Sequence, residues 1–283
     1  MSKHWQPQRV LVAVDFDPTA PAVLAQASAW AARLGAALVV LHVRTDESAS
    51  ESQLEAASRG LRTLVEGAIS GEGPRRDLMV MPGRPGPVIS DAAASMAVDL
   101  IVLGSHGRGT VGRWVLGSVA AEVLRRADIP VLVVKAPASA IDRGSFVAAV
   151  DFSAASEAAT RYAGQLAADF AAPLCLLHVL PIGEHRSPGH AVMRETATRS
   201  LQELQARGVP ATVETSVHVA MHMEAIGTAI AHYAEHQRAR LIVMGGHGTS
   251  GWTRGMLGSV TERVLHESNR PVLVVRQAPS AAL

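Results

Sequence analysis

The stretch Gly104–Val134 reads GSHGRGTVGRWVLGSVAAEVLRRADIPVLVV, and Gly245–Val275 reads GGHGTSGWTRGMLGSVTERVLHESNRPVLVV. Aligned without a gap, 15 of the 31 positions are identical. The two copies lie about 140 residues apart, which is the length of a whole domain and too long for a solenoid repeat. We therefore predict two domains of the same fold, residues 1–138 and 143–283, joined by the Ala/Pro/Ser-rich linker Ala136–Ala140.

The amino-acid composition indicates a globular protein without a strongly charged binding surface. Hydrophobic residues make up 48% of the 283 residues and charged residues 18%, which is enough to build a core and too apolar for a disordered chain. Lys+Arg 26 balance Asp+Glu 25, which argues against a basic nucleic-acid or membrane-binding surface. The single cysteine, Cys175, excludes an internal disulfide framework and fits a reducing compartment. With no apolar signal or membrane segment in the sequence, we expect a cytoplasmic protein.

Strand-like and helix-like segments alternate along each half. In the first half, a strand at Val10–Val14 precedes a helix at Ala20–Leu34 and a strand at Ala37–Val43. The later predicted elements of this half are a helix at 53–69, a strand at 78–81, a helix at 88–96, a strand at 100–103, a helix at 118–127 and a strand at 131–134. This alternation predicts βαβ crossovers, and so two doubly wound α/β domains with parallel sheets. In such sheets ligands bind outside the carboxyl ends of the strands.

Glycines recur at one spacing after a predicted strand in each half. Gly104 and Gly107 are followed by Gly117-Ser118, and the second half repeats the spacing with Gly245, Gly248 and Gly258-Ser259. Glycines let the backbone approach a ligand closely, and loop N–H groups at a helix N-terminus bind phosphate. The alternative is a pair of tight turns in which Ser118 and Ser259 are helix N-caps, Ser259 with Glu262 forming a capping box.

The spacing G-x2-G-x9-G-S, between a strand and a final helix and strand, resembles the ATP-binding class of the universal stress protein family. The resemblance covers both halves, as in a tandem universal stress protein. It implies Rossmann-like domains, each with a five-stranded parallel sheet flanked by helices. It also implies binding of ATP with Mg²⁺, and a role in the stress response as a regulator rather than a metabolic enzyme. Family dimers suggest an intramolecular pseudo-dimer about a pseudo-two-fold axis, with the apolar PVLVV strands as contacts; a further homodimer and unidentified protein partners stay open.

The resemblance also implies site residues. Asp15 and Asp151 would lie beside the sugar or the metal ion, and Val43 and Val179 would offer backbone groups to adenine. The other expected ATP contacts are Gly104, Ser105, His106, Gly107, Arg108, Gly117, Ser118 and Val119 in the first half, and Gly245, Gly246, His247, Gly248, Gly258, Ser259 and Val260 in the second. A purely structural role is the alternative for each aspartate and histidine, as it is for the repeated loop arginines Arg113 and Arg254.

The two halves differ at two places near the expected site. Asp17 stands where the second half has Ser153, and with Pro18 next to it Asp17 is predicted to be a helix N-cap with Pro at N1. The loop Gly83-Arg84-Pro85 resembles a family Gly-x-Pro loop, and the predicted counterpart is Ala220-Met221-His222. The loss of glycine and proline there predicts an altered second site.

Two other classes of function stay open from the sequence. One is a weak ATPase or self-phosphorylating protein, although no nucleophile-and-base pair is apparent beside the glycine loops. The other is a nucleotide-free scaffold of the same fold. No catalytic residue and no protein metal cluster is predicted; any Mg²⁺ would arrive with ATP and contact Asp15 or Asp151.

Overall fold

The computed structural model describes residues 5–46, 48–69, 73–105, 116–135, 144–182, 189–247 and 256–276. The chain divides into two compact units, one of residues Gln6–Ala140 and one of Met1–Trp5 with Ile141–Leu283. We call them the first and the second unit.

The first unit alternates strands and helices from end to end. Its elements are β1 (Arg9–Ala13), α1 (Ala20–Leu34), β2 (Ala37–Arg44), α2 (Glu51–Ala68), β3 (Arg76–Pro82), α3 (Pro85–Ser95), β4 (Leu100–Gly104), α4 (Ser118–Arg126) and β5 (Val131–Val134). The predicted bounds of α1 are reproduced residue for residue, and the other predicted elements lie within three residues of the observed ones. Helix α1 ends at Gly35, whose positive φ of 67° is the left-handed conformation that glycine adopts without strain.

The strands of the first unit form a parallel sheet in the order β3-β2-β1-β4-β5. The chain moves outward from β1 to β3 and then returns to the other side of β1 with β4 and β5. Right-handed crossovers therefore place α1 and α2 on one face and α3 and α4 on the other. Burial agrees, because Val10, Leu11 and Val12 of the central strand are fully buried although their side chains alternate between faces.

The second unit repeats this architecture. Its elements are β6 (Phe146–Ala149), α5 (Ala154–Asp169), β7 (Leu174–Pro181), α6 (Gly189–Gly208), β8 (Thr215–His222), α7 (Ile226–His236), β9 (Leu241–Gly245), α8 (Ser259–Glu267) and β10 (Val272–Val275). Its strands pair in parallel in the order β10-β9-β6-β7-β8. The predicted fold class, two doubly wound α/β units with five parallel strands each, is confirmed.

A glycine near the start of α3 and of α7 allows each helix to pack closely on its neighbour. A Cβ on Gly227 in α7 would lie 2.8 Å from Arg263 Cβ and 2.9 Å from the Val260 carbonyl oxygen, both in α8. The three atoms nearest to a Cβ on the corresponding Gly86 in α3 all belong to the Glu122 side chain of α4, with Oε2 the closest at 2.4 Å. The same helix contact therefore rests on backbone in the second unit and on a flexible side chain in the first.

Across the part of the chain that the structure describes, no helix combines the length and the apolar character that crossing a bilayer requires.

Candidate functional site

A cavity of about 730 Å³ opens at the carboxyl ends of β1, β2 and β4 in the first unit. Its size falls in the range of small-molecule sites, about 300–1,000 Å³. Six of the predicted ligand contacts line it: Asp15, Val43, Gly104, Gly117, Ser118 and Val119. Side chains that the sequence did not single out as contacts complete part of the wall, among them Phe16, Thr19, His42, Arg44, Thr45, Asp46 and Ile89.

The loop between β1 and α1 is organised by two carboxylates. Asp15 Oδ1 accepts a hydrogen bond from the Asp17 N–H at 3.3 Å. Asp17 Oδ1 accepts from the Thr19 N–H at 2.5 Å, from the Thr19 hydroxyl at 2.6 Å and from the Ala20 N–H at 3.1 Å. The negative charge of Asp17 is therefore stabilised by hydrogen bonds at the start of α1, although the Asp17 side chain also lines the cavity.

The predicted N-cap role of Asp17 is wrong in its position. Helix α1 begins at Ala20 with Thr19 as N-cap, and the proline of its first turn is Pro21. Asp17 nevertheless supplies the oxygen that pairs the Thr19 and Ala20 N–H groups. The reason is that the turn carrying Pro18 precedes the helix, so the carboxylate reaches forward over two residues.

Ionisation of Asp17 stabilises this loop. Partial burial of Asp17 opposes ionisation, but the hydrogen bonds that its carboxylate accepts from Thr19 and Ala20 outweigh it and hold the pKa below its ordinary value of 3.8. A carboxyl whose pKa is lowered by folding stabilises the fold above the unfolded pKa, and this contribution is lost as the pH falls through the folded pKa.

We therefore expect Asp17→Asn to lower the free energy of unfolding by about 1–2 kcal/mol at pH 7 and by less as the pH falls below the ordinary carboxyl pKa. Urea unfolding midpoints of both proteins at pH 7 and pH 3 measure this. Asp91→Asn, at a carboxylate 73% exposed, is the control and should change little. An equal loss at both pH values would show that the Asp17 charge is not what stabilises the loop.

A histidine and a phenylalanine hold the ends of the first two strands together in both units. His42 Nδ1 donates a hydrogen bond to the Val14 carbonyl at 2.9 Å, and its ring packs against Phe16 with centroids 4.4 Å apart. His178 donates to the Val150 carbonyl at 2.7 Å and packs against Phe152 at 4.7 Å. Sequence reasoning treated both histidines as core residues and missed this pair, although Asp-Phe and Leu-His-Val recur in both halves.

The helix that follows the glycine loop begins without a side-chain cap. Gly117 is the N-cap of α4, with φ −60° and ψ 148° and no side-chain hydrogen bond, and Gly258 holds the same place before α8. The alternative in which Ser118 and Ser259 are N-caps is therefore wrong, because both are the first helical residues. The first N–H groups of α4 begin at the cavity wall, where the helix dipole favours an anion.

Ser105 closes the loop rather than lining the cavity. It is 2% exposed, its N–H donates to the Val134 carbonyl at 2.9 Å, and its carbonyl accepts from the Gly117 N–H at 2.9 Å. His106, Gly107, Arg108 and Arg113 of the first loop, and Gly248 and Arg254 of the second, lie outside the described residues.

The second unit assembles the counterpart residues at the same sheet edge. The Asp151 carboxylate accepts from the Ser153 N–H at 3.0 Å and the Ser153 hydroxyl at 2.5 Å, and Ser153 caps α5. Val179 is 5% exposed, and the Gly258 N–H donates to the Gly246 carbonyl at 2.9 Å. Ser259 and Val260 begin α8.

The second glycine loop has a side-chain hydrogen bond that the first unit cannot form. The Thr261 hydroxyl donates to the Gly245 carbonyl at 2.8 Å, where the first unit has Ala120. A Cβ on Gly245 would lie 3.0 Å from Ala155 Cβ, so α5 packs directly on this glycine. Burial and the positive charge of Arg276 lower the pKa of His247. A hydrogen bond with the Met256 backbone acts in the opposite direction but is the weaker effect.

The predicted counterpart of the Gly83-Arg84-Pro85 loop is misplaced. Ala220, Met221 and His222 lie within β8, and α7 begins at Ile226. The connection in the second unit is thus Met223 to Ala225, one residue longer than Gly83-Arg84 in the first. Gly83 has a positive φ of 129°, a conformation that favours glycine. The second loop contains no glycine.

Among the described residues, no group of three or more histidine, cysteine or carboxylate side chains is arranged to hold a metal ion.

Comparison with known proteins identifies relatives of this sequence. A universal stress protein of Mycolicibacterium smegmatis is 34% identical over 192 residues, covering 65% of this chain and 63% of that relative. A universal stress protein of Mycobacterium tuberculosis is 30% identical over 198 residues, covering 68% of this chain and 66% of the relative. The matches thus span just under two thirds of the length of these relatives.

The fold has a counterpart among solved structures. The crystal structure of a universal stress protein from Archaeoglobus fulgidus matches 96% of this chain and 99% of its own, with a TM-score of 0.67 and 24% identity. At this identity the match supports the fold. The model of the universal stress protein family matches residues 7–135 and again 143–276, which together are most of the chain. The chain belongs to the universal stress protein family, with two copies of its domain in tandem.

Proposed function

We propose that the first unit binds ATP, with Mg²⁺ carried on the phosphates, and that the bound nucleotide makes this protein a regulator in the stress response rather than a metabolic enzyme. We further propose domain boundaries at 1–138 and 143–283 and a cytoplasmic location. The observation that carries the proposal is the cavity of about 730 Å³ lined by Asp15, Val43, Gly104 and the start of α4.

The lining of the cavity suits the three parts of a nucleotide. Ser118 and Val119 supply backbone N–H groups, and the start of α4 supplies the positive end of a helix dipole, for phosphates. Val43 and Ile89 supply apolar surface for a base. The Asp15 carboxylate can accept hydrogen bonds from sugar hydroxyls or join the shell of a phosphate-bound Mg²⁺.

The experiment is a calorimetric titration of the purified full chain, stripped of nucleotide, with Mg·ATP. We expect about one equivalent bound at the first unit, and Asp15→Asn to weaken that binding about tenfold because it removes a charged hydrogen-bond acceptor. Asp151→Asn is the matched control, since the Asp151 carboxylate is engaged by Ser153. Equilibrium dialysis detects binding that releases no measurable heat and would be missed by calorimetry.

The outcomes separate the alternatives. Absence of binding in both measurements would favour a nucleotide-free scaffold. Two equivalents, one of them sensitive to Asp151→Asn, would assign a site to the second unit as well. Unchanged affinity in Asp15→Asn would mean that the nucleotide does not occupy the cavity described above.

A further inference from the structure

Arg44, an arginine in the cavity wall, has an unused hydrogen-bond donor. Arg44 is the last residue of β2, follows Val43 and lines the cavity. Within the described part of the chain, its Nε atom is buried and has no hydrogen-bond partner. A buried donor without a partner is unfavourable, so such groups in folded proteins usually serve a ligand, a water or a function.

The position of Arg44 assigns it to one end of the cavity. Strand β1 lies between β2 and β4 in the sheet, so β2 and β4 are about 10 Å apart at two strand spacings. The elements proposed to bind phosphates are Gly104, which ends β4, and the start of α4, the next helix along the chain. Arg44 is therefore on the far side of β1 from the phosphates, beside Val43, at the end where the base of a nucleotide would lie.

The carboxylate nearest to Arg44 in sequence is that of Asp46. The positive charge of Arg44 contributes to the lowered pKa of Asp46, after the hydrogen bonds that Asp46 accepts from Ser48. Asp46 Oδ1 accepts from the Ser48 N–H at 3.0 Å and from its hydroxyl at 2.8 Å. The carboxylate nearest in sequence is thus already engaged by its own turn.

The chemistry of arginine limits what it can recognise. A guanidinium only donates hydrogen bonds, and its fork matches a pair of acceptors such as the O6 and N7 atoms of guanine. Adenine presents an amino donor in place of O6 and cannot accept there. The second unit has Leu180 at the corresponding position of β7, which offers no donor.

We propose that Arg44 hydrogen-bonds the base edge of the nucleotide in the first unit and widens its specificity to purines that carry an oxygen at position 6. This rests on the proposed function, because it concerns the base end of the same nucleotide site. The first unit then binds GTP as well as ATP, and Arg44 is the residue that makes GTP acceptable.

The test is calorimetry of Mg·GTP and Mg·ATP on the nucleotide-stripped full chain and on Arg44→Leu, which installs the residue of the second unit. We expect GTP to bind the natural chain, and Arg44→Leu to weaken GTP about tenfold while ATP affinity changes less than about twofold. Arg44→Gln, which keeps an N–H donor group at the end of its side chain, should retain part of the GTP affinity. Arg59→Leu, at an arginine 72% exposed on α2, is the control for a surface arginine-to-leucine change.

Three results would overturn the inference while leaving nucleotide binding in place. They are ATP binding without GTP binding, an Arg44→Leu chain with unchanged GTP affinity, and an equal loss of both nucleotides. Failure of the natural chain to bind either nucleotide would instead contradict the proposed function itself. Circular dichroism and the unfolding midpoint of Arg44→Leu establish that a loss of binding is not a loss of fold.

Discussion

Gly117→Val is expected to abolish most nucleotide binding at the first unit while the protein stays folded. Gly117 lines the cavity and caps α4, and its φ of −60° and ψ of 148° are accessible to any residue. A valine there therefore introduces no backbone strain but adds three carbon atoms to the wall where phosphate approaches the helix. Loss of two phosphate hydrogen bonds at about 1.5 kcal/mol each corresponds to about a hundredfold weaker binding.

The control for this change is a glycine with open space around it. A Cβ on Gly67 in α2 would meet nothing within 4 Å, so Gly67→Val should leave Mg·ATP affinity unchanged. Gly117→Ser, with a smaller side chain, should give an intermediate loss. If folded Gly117→Val binds ATP as tightly as the natural chain does, the start of α4 does not contact the nucleotide.

Gly227→Ala is expected to destabilise the second unit, whereas Gly86→Ala at the corresponding position should leave the first unit nearly as stable. The new Cβ on residue 227 would overlap the Val260 carbonyl and Arg263 Cβ, which cannot move without shifting α8. Overpacking of this kind costs about 1–3 kcal/mol. The atoms nearest to a new Cβ on residue 86 are Oε2, Cδ and Cγ of the flexible Glu122 side chain, whose partner Arg84 lies 3.5 Å away and is exposed.

Urea unfolding followed by circular dichroism measures both variants, and each serves as the control of the other. We expect a loss of about 2 kcal/mol for Gly227→Ala and a change of less than about 0.5 kcal/mol for Gly86→Ala, since alanine also favours helix over glycine. Two equal losses would show that the Glu122 side chain is as fixed as the backbone of α8.

The elements of the fold could be predicted from sequence because strand and helix periods are local properties. Ala20–Leu34 carries the apolar spacing of one helix and ends at Gly35, so both of its bounds are encoded in the segment itself. The glycine spacing likewise predicted part of the cavity wall, since Gly104 and Gly117 lie between a predicted strand and a predicted helix. Gly245 and Gly258 have the same places in the second copy.

Helix starts and loop correspondences were less accessible from sequence. Asp17-Pro18 and Gly117-Ser118 each carry two residues that favour a helix start, and only the three-dimensional path decides which one caps. The comparison of Gly83-Arg84-Pro85 with Ala220–His222 failed because β8 continues through His222 and neither a glycine nor a proline marks its end in the sequence. The role of Arg44 depends on an unpaired buried nitrogen, a feature that has no signature in the sequence.

The hydrogen bond from His42 to the Val14 carbonyl, with Phe16 packed on the imidazole, has a consequence for the thermodynamics of association. It fixes the ends of β1 and β2 to one another in the protein without ligand, so this rim of the cavity is preorganised. A ligand that settles there loses its own freedom and that of a few side chains such as Arg44, but does not have to order the rim. Preorganisation of this kind raises the affinity for a ligand without adding a contact.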